Sequence, residues 1–274
     1  RYKKFHIPFQ ADPNLETLKY YFKRDLFKAP PLKTFRYFVE PSETPYEFKF
    51  ETIDNRSVKR QLKTKGILSY LYFEDDKIII DEVSPNNRLG QLFDDETKFR
   101  SNSMGKSLPS YILGHAICEG YIDGVDSTIS DWNLVKNTLY ENHKLIDILN
   151  MTSGDQKYAY DSQTVNEKSF GLTHQSNSNL DDNNIQQIMN IWFKNKKPST
   201  ERFYNYNVLN THLIFNYILF KTGDDDFQKL LDKVFREKAK TKDIVYFHKL
   251  YASSKAGNAH SMFYATRYDY LRIA

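Results

Sequence analysis

The chain has 274 residues and a net charge of +4, with 40% hydrophobic and 27% charged residues, a balance that excludes global disorder. So small a net charge argues against a nucleic-acid partner, which requires a clustered basic face. The single cysteine, Cys118, excludes an intramolecular disulfide and a zinc site built from thiolates.

The first elements in chain order are extended. Residues 1–60 alternate aromatic, basic and proline positions without a helical period, so we interpret 1–60 as an extended lead-in with short strands. The β-branched and aromatic runs 66–73 and 77–82 flank an acidic turn at 74–76. This pattern predicts a β-hairpin.

Beyond the hairpin, apolar residues recur three and four positions apart, which predicts amphipathic helices. The helical segments are about 103–119, 136–149, 181–193, 208–221 and 225–238. Strands followed by helices are typical of an α+β fold. The Ser-, Asn- and Gln-rich run 154–180 predicts a surface loop, of a length that often belongs to a binding or lid element.

The segment that is most informative about chemistry lies at 101–107 and reads Ser-Asn-Ser-Met-Gly-Lys-Ser. Ser103 and Lys106 are three residues apart, so they share one face at the start of the predicted helix. A neutral amine beside a hydroxyl can remove its proton and make it a nucleophile. The helix start also presents backbone N–H groups to a developing oxyanion. The alternative is a solvated lysine near a helix start, which is common on protein surfaces.

Two further segments follow this pair along the chain. They are Leu-Ile-Asp-Ile-Leu-Asn-Met-Thr-Ser-Gly at 145–154 and Phe-Tyr-Asn-Tyr-Asn-Val-Leu-Asn at 203–210. In this order the segments resemble the serine β-lactamase and penicillin-binding-protein superfamily, and most closely its branch of β-lactamase-related esterases and 6-aminohexanoate-dimer (nylon-oligomer) hydrolases. The resemblance covers about residues 65–274, and it implies that Ser103 is acylated and that Lys106 is its base.

The second motif of that superfamily contains a tyrosine, for which Tyr206 and Tyr204 compete. Tyr206 is favoured because an aromatic residue precedes it by two positions and a leucine follows it by seven, as in the family pattern. Its phenol could relay a proton to the leaving group. In a chain with 20 tyrosines, a half-buried structural phenol is the alternative. Val208 stands where β-lactamases usually carry asparagine, which favours the esterase or amide-hydrolase branch.

Other residues are weaker candidates for the site, or match a family motif only by chance. Residues that could line the substrate cleft are Tyr204, Tyr158, Tyr160 and His260. Pro109 is expected to kink the first helix, because proline removes the hydrogen bond to the carbonyl of Gly105.

Lys-Thr-Gly at 221–223 spells the third motif of many β-lactamases. We interpret it instead as a helix end, with the aspartates that follow starting the next helix.

The resemblance also implies an architecture. It predicts an antiparallel sheet flanked by helices, a β-lactamase/transpeptidase-like domain at 61–274, and a mostly helical subdomain at about 121–240 with the site in the cleft between. The segment 257–272 resembles the helix start that precedes the strand of the third motif. We therefore expect the last strands, the C-terminal helix, the third motif and a second oxyanion donor to lie beyond Ala274, and the natural start to precede Arg1.

The predicted function is that of a serine hydrolase that forms an acyl-enzyme on an ester, amide or β-lactam-like carbonyl of a small molecule or short peptide. The alternative is an inactive relative that binds peptide or cell-wall fragments. Neither a cofactor nor a metal is expected, since the 7 histidines lack metal-ligand spacing. The longest apolar stretch, 213–220, is too short to span a membrane.

Overall fold

A computed structural model describes residues 14–23, 25–28, 36–158, 185, 189–249 and 259–274. In those ranges the α-helices are α1 (Leu15–Lys23), α2 (Arg56–Thr64), α3 (Leu108–Cys118), α4 (Leu145–Leu149), α5 (Val208–Thr222), α6 (Asp224–Leu231) and α7 (Arg267–Ile273). The strands are β1 (Leu26–Phe27), β2 (Arg36–Val39), β3 (Lys49–Phe50), β4 (Ser69–Glu74), β5 (Lys77–Val83), β6 (Lys98–Arg100), β7 (Val245–Lys249) and β8 (Ala259–Ala265).

The strands form two sheets. The larger has the order β1-β6-β8-β7-β2, and every neighbouring pair in it is antiparallel. The smaller has the order β3-β5-β4, with β3 parallel to β5. Helices α3, α5 and α6 share the main hydrophobic core with the larger sheet. The predicted α+β fold, an antiparallel sheet flanked by helices, is confirmed.

The predicted hairpin is confirmed as β4 and β5. The two turn residues, Asp75 and Asp76, have φ values of +47° and +61°. Two consecutive positive φ angles give the turn a twist that matches the twist of the flanking strands, and aspartate tolerates that conformation. The acidic turn therefore pairs Glu74 with Lys77 and Phe73 with Ile78, and an irregularity between Tyr72 and Phe73 shifts the register beyond these pairs.

Helix α5 is the centre of the helical layer. All residues from Leu209 to Ile218 are buried, as expected for a helix enclosed on every side. It ends at Gly223, whose φ of +76° only glycine adopts readily. Asp224–Asp226 then form the first turn of α6. The interpretation of Lys-Thr-Gly as a helix end is confirmed. In the described ranges, no helix is long and apolar enough to cross a membrane.

The prediction of a helix over 136–149 is wrong, because only Leu145–Leu149 is helical in that range. Thr138 explains the difference: its hydroxyl donates to the carbonyl of Val135 at 2.6 Å and accepts from the N–H of Tyr140 at 3.2 Å. Such bonds compete with helical backbone pairing. The helix predicted at 181–193 lies largely outside the described residues, and its described end, Met189–Phe193, is a π-helical turn.

The lead-in was expected to be extended with short strands; it contains such strands, but also helix α1 and the start of helix α2, which the pattern did not predict. Asn55 caps the start of helix α2: its side chain accepts from the N–H groups of Ser57 and Val58. Its buried residues Val58 and Leu62 pack against Ile80 of the smaller sheet. Strand β2 pairs with β7 and so extends the larger sheet.

His248 on β7 is a partly buried titratable group of the larger sheet. Its imidazole lies 2.8 Å from the hydroxyl of Tyr264 and stacks on that ring. Burial, together with the positive charges of Arg36 and Arg100, lowers the pKa of His248 to about 3. The folded protein therefore holds this imidazole neutral at pH values where the unfolded chain binds a proton.

This difference in proton binding predicts that stability falls as the pH falls. Between pH 8 and pH 5, His248 alone is expected to lower the free energy of unfolding by about 2 kcal/mol, because the unfolded imidazole titrates near pH 6.5. Urea titrations of the wild type and of His248→Gln test it. The variant is expected to have a flatter pH dependence, and an identical dependence in both proteins would contradict the assignment.

Candidate active site

The turn that carries Ser103 is anchored to the larger sheet. Residues Asn102–Ser107 form a short 3₁₀ helix that leads into α3. Just before it, the N–H of Ser101 donates to the carbonyl of Phe263 at 2.8 Å, and the Ser101 hydroxyl accepts from the N–H of Phe263 at 3.1 Å. These two bonds tie the start of the turn to β8.

Gly105 allows the turn to approach β8 closely. A Cβ at this position would lie 2.3 Å from the hydroxyl oxygen of Ser101 and 2.6 Å from the carbonyl oxygen of Ser261. Any larger residue would push the turn away from the strand. The glycine between Ser103 and Lys106 is therefore required by packing.

Asn102, directly before Ser103, has a φ of +46°. This is the left-handed region, which asparagine tolerates better than most residues. The reversal turns the chain sharply from β6 into the 3₁₀ turn, and it leaves Ser103 exposed. Backbone strain of this kind is concentrated at functional sites.

The three residues proposed for chemistry lie together. The amine of Lys106 is 3.3 Å from the hydroxyl of Ser103, within hydrogen-bond distance. The same amine lies 4.9 Å from the centre of the Tyr206 ring, within the range of a cation–π contact. Lys106 and Tyr206 are both partly buried. The amine thus lies between a hydroxyl from the start of α3 and an aromatic ring from the start of α5.

Pro109 does not kink a helix, contrary to expectation. Helix α3 begins at Leu108, so Pro109 falls in its first turn. The N–H groups of a first turn have no helical partner, and proline costs nothing there. The preceding turn is 3₁₀, which separates Lys106 from the helix proper.

Tyr206 is held in place by the residues on either side of it. Asn207 caps α5, with its side-chain oxygen accepting from the N–H of Asn210 at 2.9 Å. The N–H of Asn205 donates to the carbonyl of Met151 at 2.8 Å. Tyr206 therefore precedes a well-capped helix and sits beside the Met-Thr-Ser-Gly segment.

A cleft of about 630 Å³ is lined in part by Lys106, whereas Ser103 and Tyr206 are not among its described lining residues. This volume is within the range of about 300–1,000 Å³ that is common for small-molecule sites. Its lining comes from the starts of α3 and α5, from α4 and from the chain around Tyr204. The lining residues are Lys106, Ser107, Pro109, Ser110, Ile146, Ile148, Leu149, Asn150, Met151, Tyr204, Asn210, Thr211 and Ile214.

The remaining predicted site residues have different positions. Tyr204 is 63% exposed, lines the cleft and has its ring 6.5 Å from that of Tyr206. The ring of Tyr158 packs against Phe193, with the amine of Lys196 5.6 Å above it. None of the contacts described for Tyr158 involves Ser103. Tyr160 and the side chain of His260 lie outside the described residues.

The structure places one buried carboxylate beside the Tyr206 segment that the sequence did not predict. The buried carboxylate of Asp155 binds the side chains of Asn205, Asn207 and Asn210. The only sequence signal is the cluster of asparagines around Tyr206, together with an acidic residue directly after Met-Thr-Ser-Gly. Neither signal shows that the two segments meet.

The fold resembles a solved structure described as "Putative 6-aminohexanoate-dimer hydrolase from Bacillus anthracis", with a TM-score of 0.62. The sequences are 14% identical, and the match covers 93% of this chain and 67% of that one. At this identity the likeness shows a distant fold relationship. No protein-family model and no curated protein match the chain.

Proposed function

We propose that the protein is a serine hydrolase that acts through an acyl-enzyme on Ser103. One observation carries this proposal: the Lys106 amine lies 3.3 Å from the Ser103 hydroxyl and 4.9 Å from the centre of the Tyr206 ring. A serine hydroxyl, an amine and a tyrosine that lie together are the groups that this reaction needs. The fold shared with a protein described as a hydrolase supports the same reaction class.

In the proposed mechanism, Lys106 in its neutral form accepts the proton of Ser103 while the oxygen attacks a substrate carbonyl. The backbone N–H of Ser103 donates to the oxyanion that forms. Tyr206, next to the amine, relays the proton to the leaving group as the bond between carbonyl carbon and leaving group breaks. Water then hydrolyses the ester of Ser103, with the proton transfers reversed.

The cleft supports a neutral substrate. Among the lining residues in the described part of the chain, Lys106 is the only basic or acidic one, and six of the thirteen have apolar aliphatic side chains. A buried substrate charge without a partner would be costly in such surroundings. We therefore assign to this site the esters or amides of uncharged acyl groups, which can be small molecules or short neutral peptides.

Hydrolysis of p-nitrophenyl butyrate by paired tyrosine variants tests the proposal. Tyr206→Phe is expected to lower kcat by about 100-fold, because it keeps the ring beside Lys106 but removes the proton relay, which the rate-limiting hydrolysis of the acyl-enzyme uses in reverse. Tyr204→Phe is the matched control at an exposed phenol two residues away, and we expect kcat to stay near the wild-type value.

Two results would contradict this assignment. Wild-type protein that releases no p-nitrophenol above the uncatalysed rate would argue against a hydrolase altogether. A loss confined to Tyr204→Phe would instead show that the other phenol relays the proton. The measurement therefore separates the reaction class from the identity of the tyrosine.

A further inference from the structure

Asp155 is a fully buried carboxylate, with an exposed fraction of 0%. Its oxygens accept hydrogen bonds from the hydroxyl of Tyr140 at 2.6 Å and from the amide groups of three asparagines. Those donors are Asn205 at 3.0 Å, Asn207 at 3.2 Å and Asn210 at 3.1 Å. In the described part of the chain, none of its side-chain partners is a cation.

A buried charge without a counter-ion persists only when hydrogen bonds replace its hydration. Here the four neutral donors replace the hydration of the Asp155 carboxylate. Burial and the neighbouring carboxylate raise the pKa of Tyr140 well above its ordinary value, so its phenol stays protonated and donates. As a result, three asparagine side chains donate hydrogen bonds to the same carboxylate, that of Asp155.

Two of these asparagines flank Tyr206 in the sequence. Asn205 donates to one carboxylate oxygen and Asn207 to the other, so Asp155 holds the chain on both sides of the tyrosine. Asn207 also caps α5 through its side-chain oxygen. The carboxylate therefore fixes the segment that carries Tyr206 relative to the start of α5.

We propose that Asp155 is a positioning residue for the reaction: it holds Asn205 and Asn207 so that the ring of Tyr206 lies against the amine of Lys106. The proposal rests on the function proposed above, since it gives Asp155 a role through Tyr206. Asp155 does not touch the substrate. Its effect is on the geometry of proton transfer, where displacements of about 1 Å can cost about 100-fold in rate.

Aspartate is required at this position because it only accepts hydrogen bonds. Asparagine has the same shape, but its amide group would face donors that it cannot accept from. Asp155→Asn is therefore expected to release Asn205 or Asn207. We expect kcat for p-nitrophenyl butyrate to fall about 100-fold while KM changes little, because the cleft walls remain.

Asp269→Asn is the matched control. Asp269 is also 0% exposed and also binds several donors, including the N–H groups of Lys242 and Asp243 and the hydroxyl of Thr266. It lies at the start of α7, away from the Tyr206 segment. Both variants are expected to lower the melting temperature, whereas only Asp155→Asn is expected to lower kcat per folded active site.

A double-mutant cycle separates positioning from general stability. If Asp155 acts through Tyr206, then Asp155→Asn has no further effect on kcat in a Tyr206→Phe background. Full multiplicative loss in the double variant would overturn the proposal, as would a wild-type kcat in Asp155→Asn. If Asp155→Asn does not fold, Asn205→Ala tests the same link, with an expected loss in kcat of about 10-fold.

Crystal structures of the wild type and of Asp155→Asn give a readout that does not depend on activity. The proposal predicts that the Tyr206 ring moves away from the Lys106 amine in the variant and stays in contact with it in Asp269→Asn. An unmoved ring in Asp155→Asn would overturn the positioning role. A displaced ring in a protein that hydrolyses no ester would instead overturn the proposed function and leave the structural link standing.

Discussion

Ser103→Ala is expected to abolish hydrolysis of p-nitrophenyl butyrate, with a fall in kcat of about 10⁴-fold or more, because no acyl-enzyme can form without the hydroxyl. The wild type is expected to release p-nitrophenol in a burst, followed by slower turnover limited by hydrolysis of the acyl-enzyme. The burst amplitude should equal the concentration of active sites. Stopped-flow absorbance measures both phases.

Ser130→Ala is the control for this prediction. Ser130 is exposed, and in the described part of the chain its hydroxyl bonds only to that of Thr128, 2.9 Å away, in a loop outside the cleft. Its burst and turnover should match those of the wild type. A full burst in Ser103→Ala would show that another group is the nucleophile, and the mechanism built on the turn at 101–107 would then fail.

Lys106→Met is expected to lower kcat by about 10³-fold, because methionine keeps much of the side-chain length but cannot accept the proton of Ser103. A thioether in place of the amine should leave the 3₁₀ turn intact, since that turn is held by Ser101 and Gly105. The measurement is the rate of the acylation burst, which isolates the step that needs the base.

Lys106→Arg distinguishes a base from a fixed positive charge. Arginine keeps the charge but stays protonated, so it cannot act as the base. We expect this variant to be as slow as Lys106→Met. A rate close to that of the wild type would show that Lys106 acts electrostatically, and an undiminished burst in Lys106→Met would point to an unrelated base.

Much of the fold could be predicted because its signals are local. The acidic turn at Asp75 and Asp76 and the glycine at 223 each determine the backbone over a few residues, and both predictions are confirmed. The helix predicted at 136–149 is wrong because the apolar spacing says nothing about Thr138, whose hydroxyl bonds to nearby backbone groups instead. Side-chain competition for backbone groups is hard to see in a periodic pattern.

The candidate site also combines residues that a local pattern predicts with contacts that no local pattern predicts. Ser103 and Lys106 are three residues apart, so any helical turn brings them together, and spacing alone suggests the pair. The contact of Lys106 with Tyr206 crosses 100 residues of sequence and was reached through a family resemblance. The role of Asp155 depends on how three asparagine side chains are oriented across a buried junction. No local pattern in the sequence encodes that orientation.

Covalent labelling with a fluorophosphonate measures whether the hydroxyl of Ser103 is an activated nucleophile. Intact-mass spectrometry of the treated protein should show a single adduct, and peptide mapping should place it on Ser103. The adduct should be absent from Ser103→Ala and present in Ser130→Ala. Wild-type protein that gains no adduct, or an adduct that persists in Ser103→Ala, would show that Ser103 is not the activated nucleophile.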